Sequence, residues 1–315
     1  MGLFRSVQAV TGASGTGPVD WTAVAEAAKA STEPGSIALS TEEQEGYADD
    51  VREARGRIRE VAAIDFDVPE SIEIQNRHHW IDANIDTFQR VMAPLGDQVG
   101  LIPGLARMVN TGTMSIALAF LGNNVLGQYD PLLLAESDAH SLYFVHPNIG
   151  KVATMLDVPE PRFRRWIAFH EVSHAAEFGA APWLADQLEA DLQRAVDALG
   201  EGSLDREALG SLDTTMTAVE GYAELVMDRA FDGEYADLRR KLDERRQGRG
   251  PVSQLVRRLL GLGMKRRQYE RGKQFFETVA DERGVEGASA VWERPENLPS
   301  DAELDDPRAW LDRVR

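Results

Sequence analysis

Between Glu160 and Phe178 the sequence offers a helix whose middle turns, Trp166 to Ala176, set two histidines and a glutamate among apolar residues on every side. Phe163, Trp166 and Ile167 fall on the side of His170 and His174, while Ala168, Val172, Ala175 and Ala176 lie behind and let another helix come close. Pro161 is tolerated in a first turn, and Gly179 with Pro182 closes the segment. A helix that is apolar all round belongs in the middle of a fold, and its polar groups must be satisfied there.

His170-Glu171-Val172-Ser173-His174 is an H-E-x-x-H pattern whose logic is geometric. At 3.6 residues per turn, His170 and His174 stand one turn apart on one face, so both imidazoles can reach a single zinc ion at about 2.0–2.1 Å. Glu171, about 100° round the helix, is poorly placed as a third ligand but can hold a water beside the ion. The chain has no cysteine, so thiolate sites are excluded and the remaining ligand must be His, Asp or Glu.

Glu220, in Val219-Glu220-Gly221-Tyr222-Ala223-Glu224, is the expected third ligand, with Gly221 allowing a close backbone approach. Glu224 is one turn further along the same face and is expected to orient a ligand histidine from behind. Met216, Ala223 and Met227 share that side and argue against a solvated face. Glu177 competes for the third position, but a carboxylate another turn along the same rigid helix completes a tetrahedron poorly. Glu177 is therefore expected to line the cleft instead, with Tyr222, His140 and His146 as further cleft candidates. His78 and His79 point about 100° apart and read as structural.

The rest of the chain reads as mostly helical. Helices are expected over Trp21–Ala30, Thr41–Ala62, Arg77–Met92, Leu184–Leu199 and Thr214–Phe231, with apolar helical stretches over 95–125 and a strand over Leu142–His146. The predicted class is predominantly α with a small β-sheet. Residues 1–19, rich in Gly, Ser, Thr and Ala, read as a flexible leader, and 20–315 as a single domain. A formal charge of −18 argues against a nucleic-acid partner. The greasiest stretch, Met114–Leu121, is too short for a membrane span, and the expected location is the cytoplasm. Arg239–Lys273 holds 13 basic and 3 acidic residues; arginines bridging to the acidic remainder are favoured over a patch for an anionic partner.

Several blocks beyond the pentapeptide are distinctive: Arg77–Asn84, Leu126–Pro131, Val145–Ile149, Phe163–Leu184, Val219–Glu224 with Val226–Asp228, Leu259–Lys265, Val291–Trp292 and Leu298–Pro299. Together they resemble a prokaryotic family of zincin-like metallohydrolases, some of whose members are associated with biosynthesis of a deazaflavin cofactor. The resemblance runs over most of the chain from about Asp20. It implies a zincin-like core, and at Tyr222 the chain departs from the family pattern, which places His there.

The expected activity is zinc-dependent hydrolysis of a peptide or small amide substrate, with His170, His174 and Glu220 as ligands and Glu171 as base. A catalytically silent zincin scaffold and an accessory enzyme of deazaflavin metabolism are the alternatives. Oligomeric state is left open.

Overall fold

The computed structural model describes residues 6, 9–11, 17–69, 71–92, 103–130, 141–231, 233–247 and 266–314. His140, most of the leader and 248–265 of the basic segment lie outside them.

Local signals set most boundaries. Helix α1 (Trp21–Ala30) starts where the Asp20 side chain accepts from the Ala23 N–H. Helix α2 (Thr41–Ala62) starts at a capping box, in which the Ser40 side chain accepts from the Glu43 N–H and the Ser40 N–H donates to the Glu43 carboxylate. The apolar stripe of α2 (Tyr47, Val51, Ala54, Ile58, Ala62) recurs at helical spacing and is fully buried. Strand β1 (Ile72–Gln75) follows, then α3 (Arg77–Val91), α4 (Pro103–Gly122), β2 (Gly127–Asp130) and β3 (Ser141–Val145).

The sequence reading missed β1, which is four residues long and has too few alternations to stand out. His146, expected at the end of a strand, instead opens α5 (His146–Leu156), because Pro147 suits a first helical turn and supplies no ladder N–H.

The sheet has the order β1-β3-β2, with β1 parallel and β2 antiparallel to β3. Alternation along β3 sends Leu142 and Phe144 into the main core and Val145 into a second apolar cluster with Val24, Trp80, Ile81 and Leu118. Helices α1, α3 and α4 thus cover one side of the sheet, and the helices carrying the motif cover the other.

The main core forms around α6 (Glu160–Ala180), buried on nearly every side as its sequence demands. Helix α2 packs along it and ties down its arginines: Arg164 Nε lies 2.7 Å from Asp50, and Arg165 holds Glu53 at 2.8 Å. Next come α7 (Trp183–Gly200), α8 (Arg206–Phe231), α9 (Ala236–Gln247) and α10 (Arg266–Ser289), then two short 3₁₀ turns and the small helices α11 (Asp301–Asp305) and α12 (Pro307–Arg313). Helix α8 begins two turns earlier than its sequence pattern suggests, after Asp205, whose side chain accepts from the Ala208 N–H. Among the described residues no helix is long and apolar enough to cross a membrane.

Helices α8 and α10 cross at a pair of glycines. A Cβ on Gly221 would stand 2.4 Å from the Gly272 carbonyl carbon. The close approach expected of Gly221 is therefore made to α10, and Glu220, about 100° further round α8, faces α6.

Candidate metal centre

His170 and His174 present their Nε2 atoms to each other at 3.3 Å. Glu220 reaches across from α8, with Oε2 3.9 Å from His170 Nε2 and Oε1 4.0 Å from His174 Nε2. One donor atom from each of the three residues thus lies within 4.8 Å of the others. Three ligands at 2.0–2.1 Å from one tetrahedral ion would stand about 3.3 Å apart. The two imidazoles already match that spacing, and a shift of the Glu220 side chain toward them would bring one of its oxygens into line. Glu220 is buried, and its Oε2 has no hydrogen-bond donor. A buried acceptor left bare is costly, and a cation between these three groups would satisfy it. The donor set of two imidazoles and a carboxylate suits zinc.

The imidazoles are held from both sides. His174 Nδ1 lies 2.9 Å from Glu177 Oε2 on the next turn, and this contact turns Nε2 toward the centre. The ring of Trp166 lies flat along His170, with centroids 5.8 Å apart and planes within 4°. Glu177, expected at the cleft wall, is in fact completely buried and forms the hydrogen bond behind a histidine that is expected of Glu224. Glu224 instead forms an ion pair with Arg239, which also pairs with Asp228.

Glu171 stands off the histidine face, as its 100° offset requires, and meets β2. The Tyr129 N–H donates to Glu171 Oε2 at 2.9 Å. Gly127, two residues earlier on the same side of the strand, leaves the space into which the glutamate fits. Between them, Gln128 points the other way, where it accepts from Trp80 Nε1 at 2.7 Å and donates to Asn84 at 2.9 Å. The Arg77–Asn84 block thereby props the strand that receives Glu171. His78 in that block bonds the Thr32 carbonyl at 2.7 Å, a structural contact.

Burial raises the pKa of three carboxyls here: Glu171, Glu177 well above its ordinary value, and Glu220 to about 7, the last opposed by the neighbouring His174. Gathering acids in one dry place favours their neutral forms unless positive charge is set among them.

Two cleft candidates lie elsewhere. Tyr222 sits two residues from Glu220 on α8, roughly 200° round the helix. Its ring is buried against Phe276 and Trp292, and its hydroxyl meets Ser289 Oγ at 2.7 Å, so it belongs to the core. His146 bonds the Tyr47 hydroxyl at 3.0 Å and faces Glu160 at 3.4 Å. Glu160 is ten residues before His170, roughly 15 Å along the axis, so His146 serves the far end of α6. The sequence reading also missed the residues of β2, because nothing local says which helix a strand edge will face.

In the basic segment, Arg239 pairs as above, Lys241 donates to the Asp157 carbonyl at 2.6 Å, and Arg271 bridges to Asp301 and Asp305 at 2.9 and 2.6 Å.

The sequence profile of the zincin-like metallopeptidases matches residues 19–202 and 198–311. A solved structure of a candidate hydrolase with a novel fold from Chloroflexus aurantiacus is similar to this chain, with a TM-score of 0.75 and 31% identity over 94% of this chain and 98% of the other. No curated protein matches.

Proposed function

The chain belongs to the zincin-like metallopeptidase family, and from that membership we propose that it is a zinc-dependent hydrolase of peptide or other amide bonds, with His170, His174 and Glu220 as the residues that would hold the ion. The observation that carries this reading is the buried Glu220 oxygen, without a hydrogen-bond donor, set against two imidazole nitrogens at metal-ligand spacing. The similarity to a candidate hydrolase over nearly the whole of both chains supports the reaction class.

Zinc, when bound, supplies Lewis-acid polarisation of the substrate carbonyl and lowers the pKa of a water toward about 7. The remaining work falls to the chain's own residues. Glu171, anchored through Oε2 by the Tyr129 N–H, takes a proton from the water as its oxygen bonds to the carbonyl carbon. It then passes that proton to the nitrogen as the C–N bond breaks. Its burial moves its pKa upward, toward the range where a base can both accept and return a proton near neutrality. Glu177 fixes the orientation of His174, and Trp166 that of His170.

Glu171→Gln tests the assignment. The variant keeps its zinc, measured by metal analysis, while turnover of a broad peptide and amide library falls by about 10²–10⁴-fold. Undiminished turnover, or loss of zinc in this variant, would remove Glu171 from the role of base.

A further inference from the structure

Strand β2 holds Glu171 with little of its own to hold itself. It is four residues long and, among the described residues, pairs with β3 alone. One of its two positions that receive Glu171 is Gly127, which has no side chain to anchor. A strand this short with a glycine in it is weakly fixed in register, and a slip of one residue would exchange its two faces. The place of Gly127 would then be filled by a side chain, and the space that Glu171 occupies would close.

The other face of the strand carries a lock. Gln128 points toward α3, where Trp80 and Asn84, four residues apart, stand one turn from each other on one side of the helix. Trp80 Nε1 donates to Gln128 Oε1 at 2.7 Å, Gln128 Nε2 donates to Asn84 Oδ1 at 2.9 Å, and Asn84 Nδ2 donates to the Trp80 carbonyl at 2.9 Å. This closed circuit has a single orientation. An indole N–H only donates, so it takes the oxygen of Gln128; the amide nitrogen that remains needs the oxygen of Asn84, and the Asn84 nitrogen then faces a carbonyl that only accepts. Trp80 and Asn84 are buried, where leaving a donor or acceptor unmatched costs more than an ordinary hydrogen bond contributes. A one-residue slip would bring Gly127 or Tyr129 to this place, and neither carries an amide.

We propose that Gln128 is a positioning residue: its amide, clamped between Trp80 and Asn84, sets the register of β2 and so places the Tyr129 N–H that holds Glu171 Oε2. The consequence for proton transfer rests on the hydrolase reading, whereas the register can be measured without any turnover.

The full-length zinc-loaded protein is compared with Gln128→Leu, which keeps the bulk of the side chain and removes both its bonds, by amide hydrogen exchange followed by NMR. Trp80→Phe removes one bond of the circuit and serves where Gln128→Leu folds poorly. Exchange at Tyr129 rises by about ten-fold or more in Gln128→Leu and by less in Trp80→Phe. The rise exceeds any along α6, and zinc content stays at the wild-type level. On a cleaved peptide or amide, Gln128→Leu lowers kcat by about 10²-fold with KM little changed. It adds no further loss in a Glu171→Gln background, because both changes act on one proton transfer. An equal rise in exchange at Tyr129 and along α6 would make Gln128 a general structural contact and overturn the proposal, as would a kcat loss that multiplies that of Glu171→Gln. A selective rise at Tyr129 without turnover of any peptide or amide would uphold the register lock and remove the hydrolase reading. Turnover that Gln128→Leu leaves at the wild-type rate would uphold the hydrolase reading and overturn the positioning role.

Discussion

A methyl group on Gly127 would stand 2.6 Å from Glu171 Cγ and 2.7 Å from its Oε1, so the strand accepts the glutamate only because residue 127 has no side chain. The two residues are distant in sequence and belong to different elements. Gly127→Ala should therefore push the carboxyl out of place while leaving the histidines untouched. Misplacing a proton-transfer group by about 1 Å costs roughly 10²-fold. The expected result is a kcat lower by about that factor, with KM and zinc content close to wild type. A kcat within two-fold of wild type would show that Glu171 tolerates the shift.

Glu177 is held against His174 Nδ1 at 2.9 Å in a fully buried position. Removal of such a supporting carboxylate weakens metal affinity by about 10–100-fold. Glu177→Ala should lose zinc to a competing chelator at correspondingly lower chelator concentration, and Glu177→Gln, which can still accept from Nδ1–H, should lose less. Equal zinc affinity in wild type and Glu177→Ala would deny the contact any influence on the ion.

The buried acids also fix the sign of a pH effect. Glu171, Glu177 and Glu220 have folded-state pKa values raised by burial, Glu220 from 4.5 to about 7. In the metal-free protein the folded state thus keeps protons that the unfolded chain has released, and its stability falls as pH rises from near 4.5 through about 7. For Glu220 alone the difference is on the order of 3 kcal/mol. With chelator present, Tm should fall between pH 5 and pH 8, and saturating zinc should flatten or reverse that slope by stabilising the carboxylate forms. A metal-free protein that melts higher at pH 8 than at pH 5 would contradict this picture.

Gly221 stands where α8 crosses α10, with no room for a Cβ beside the Gly272 backbone. Gly221→Ala forces the two helices apart, and overpacking of this kind costs about 1–3 kcal/mol. Because Glu220 is the adjacent residue, zinc affinity should fall together with Tm, both readable in one calorimetric titration. A drop in Tm with unchanged zinc affinity would separate the crossing from the site.

Much of this protein is legible in its sequence. The ends of α1 and α2, the apolar surroundings of His170 and His174, their common face and the offset of Glu171 all follow from the period of a helix and the chemistry of its caps, which act over a few residues. The absence of cysteine narrowed the ligand chemistry, and Glu220 stood out because an acid among Met216, Ala223 and Met227 is expensive unless something satisfies it.

Tertiary structure decided whatever depended on the element lying opposite. It set Glu177 rather than Glu224 behind His174, buried Tyr222 against Phe276 and Trp292, drew His146 to Tyr47 and Glu160, and brought β2 to Glu171. Helix periodicity says which residues share a face. Which face meets which neighbour is settled by packing across the whole chain, where burial and backbone hydrogen bonding must be satisfied at the same time.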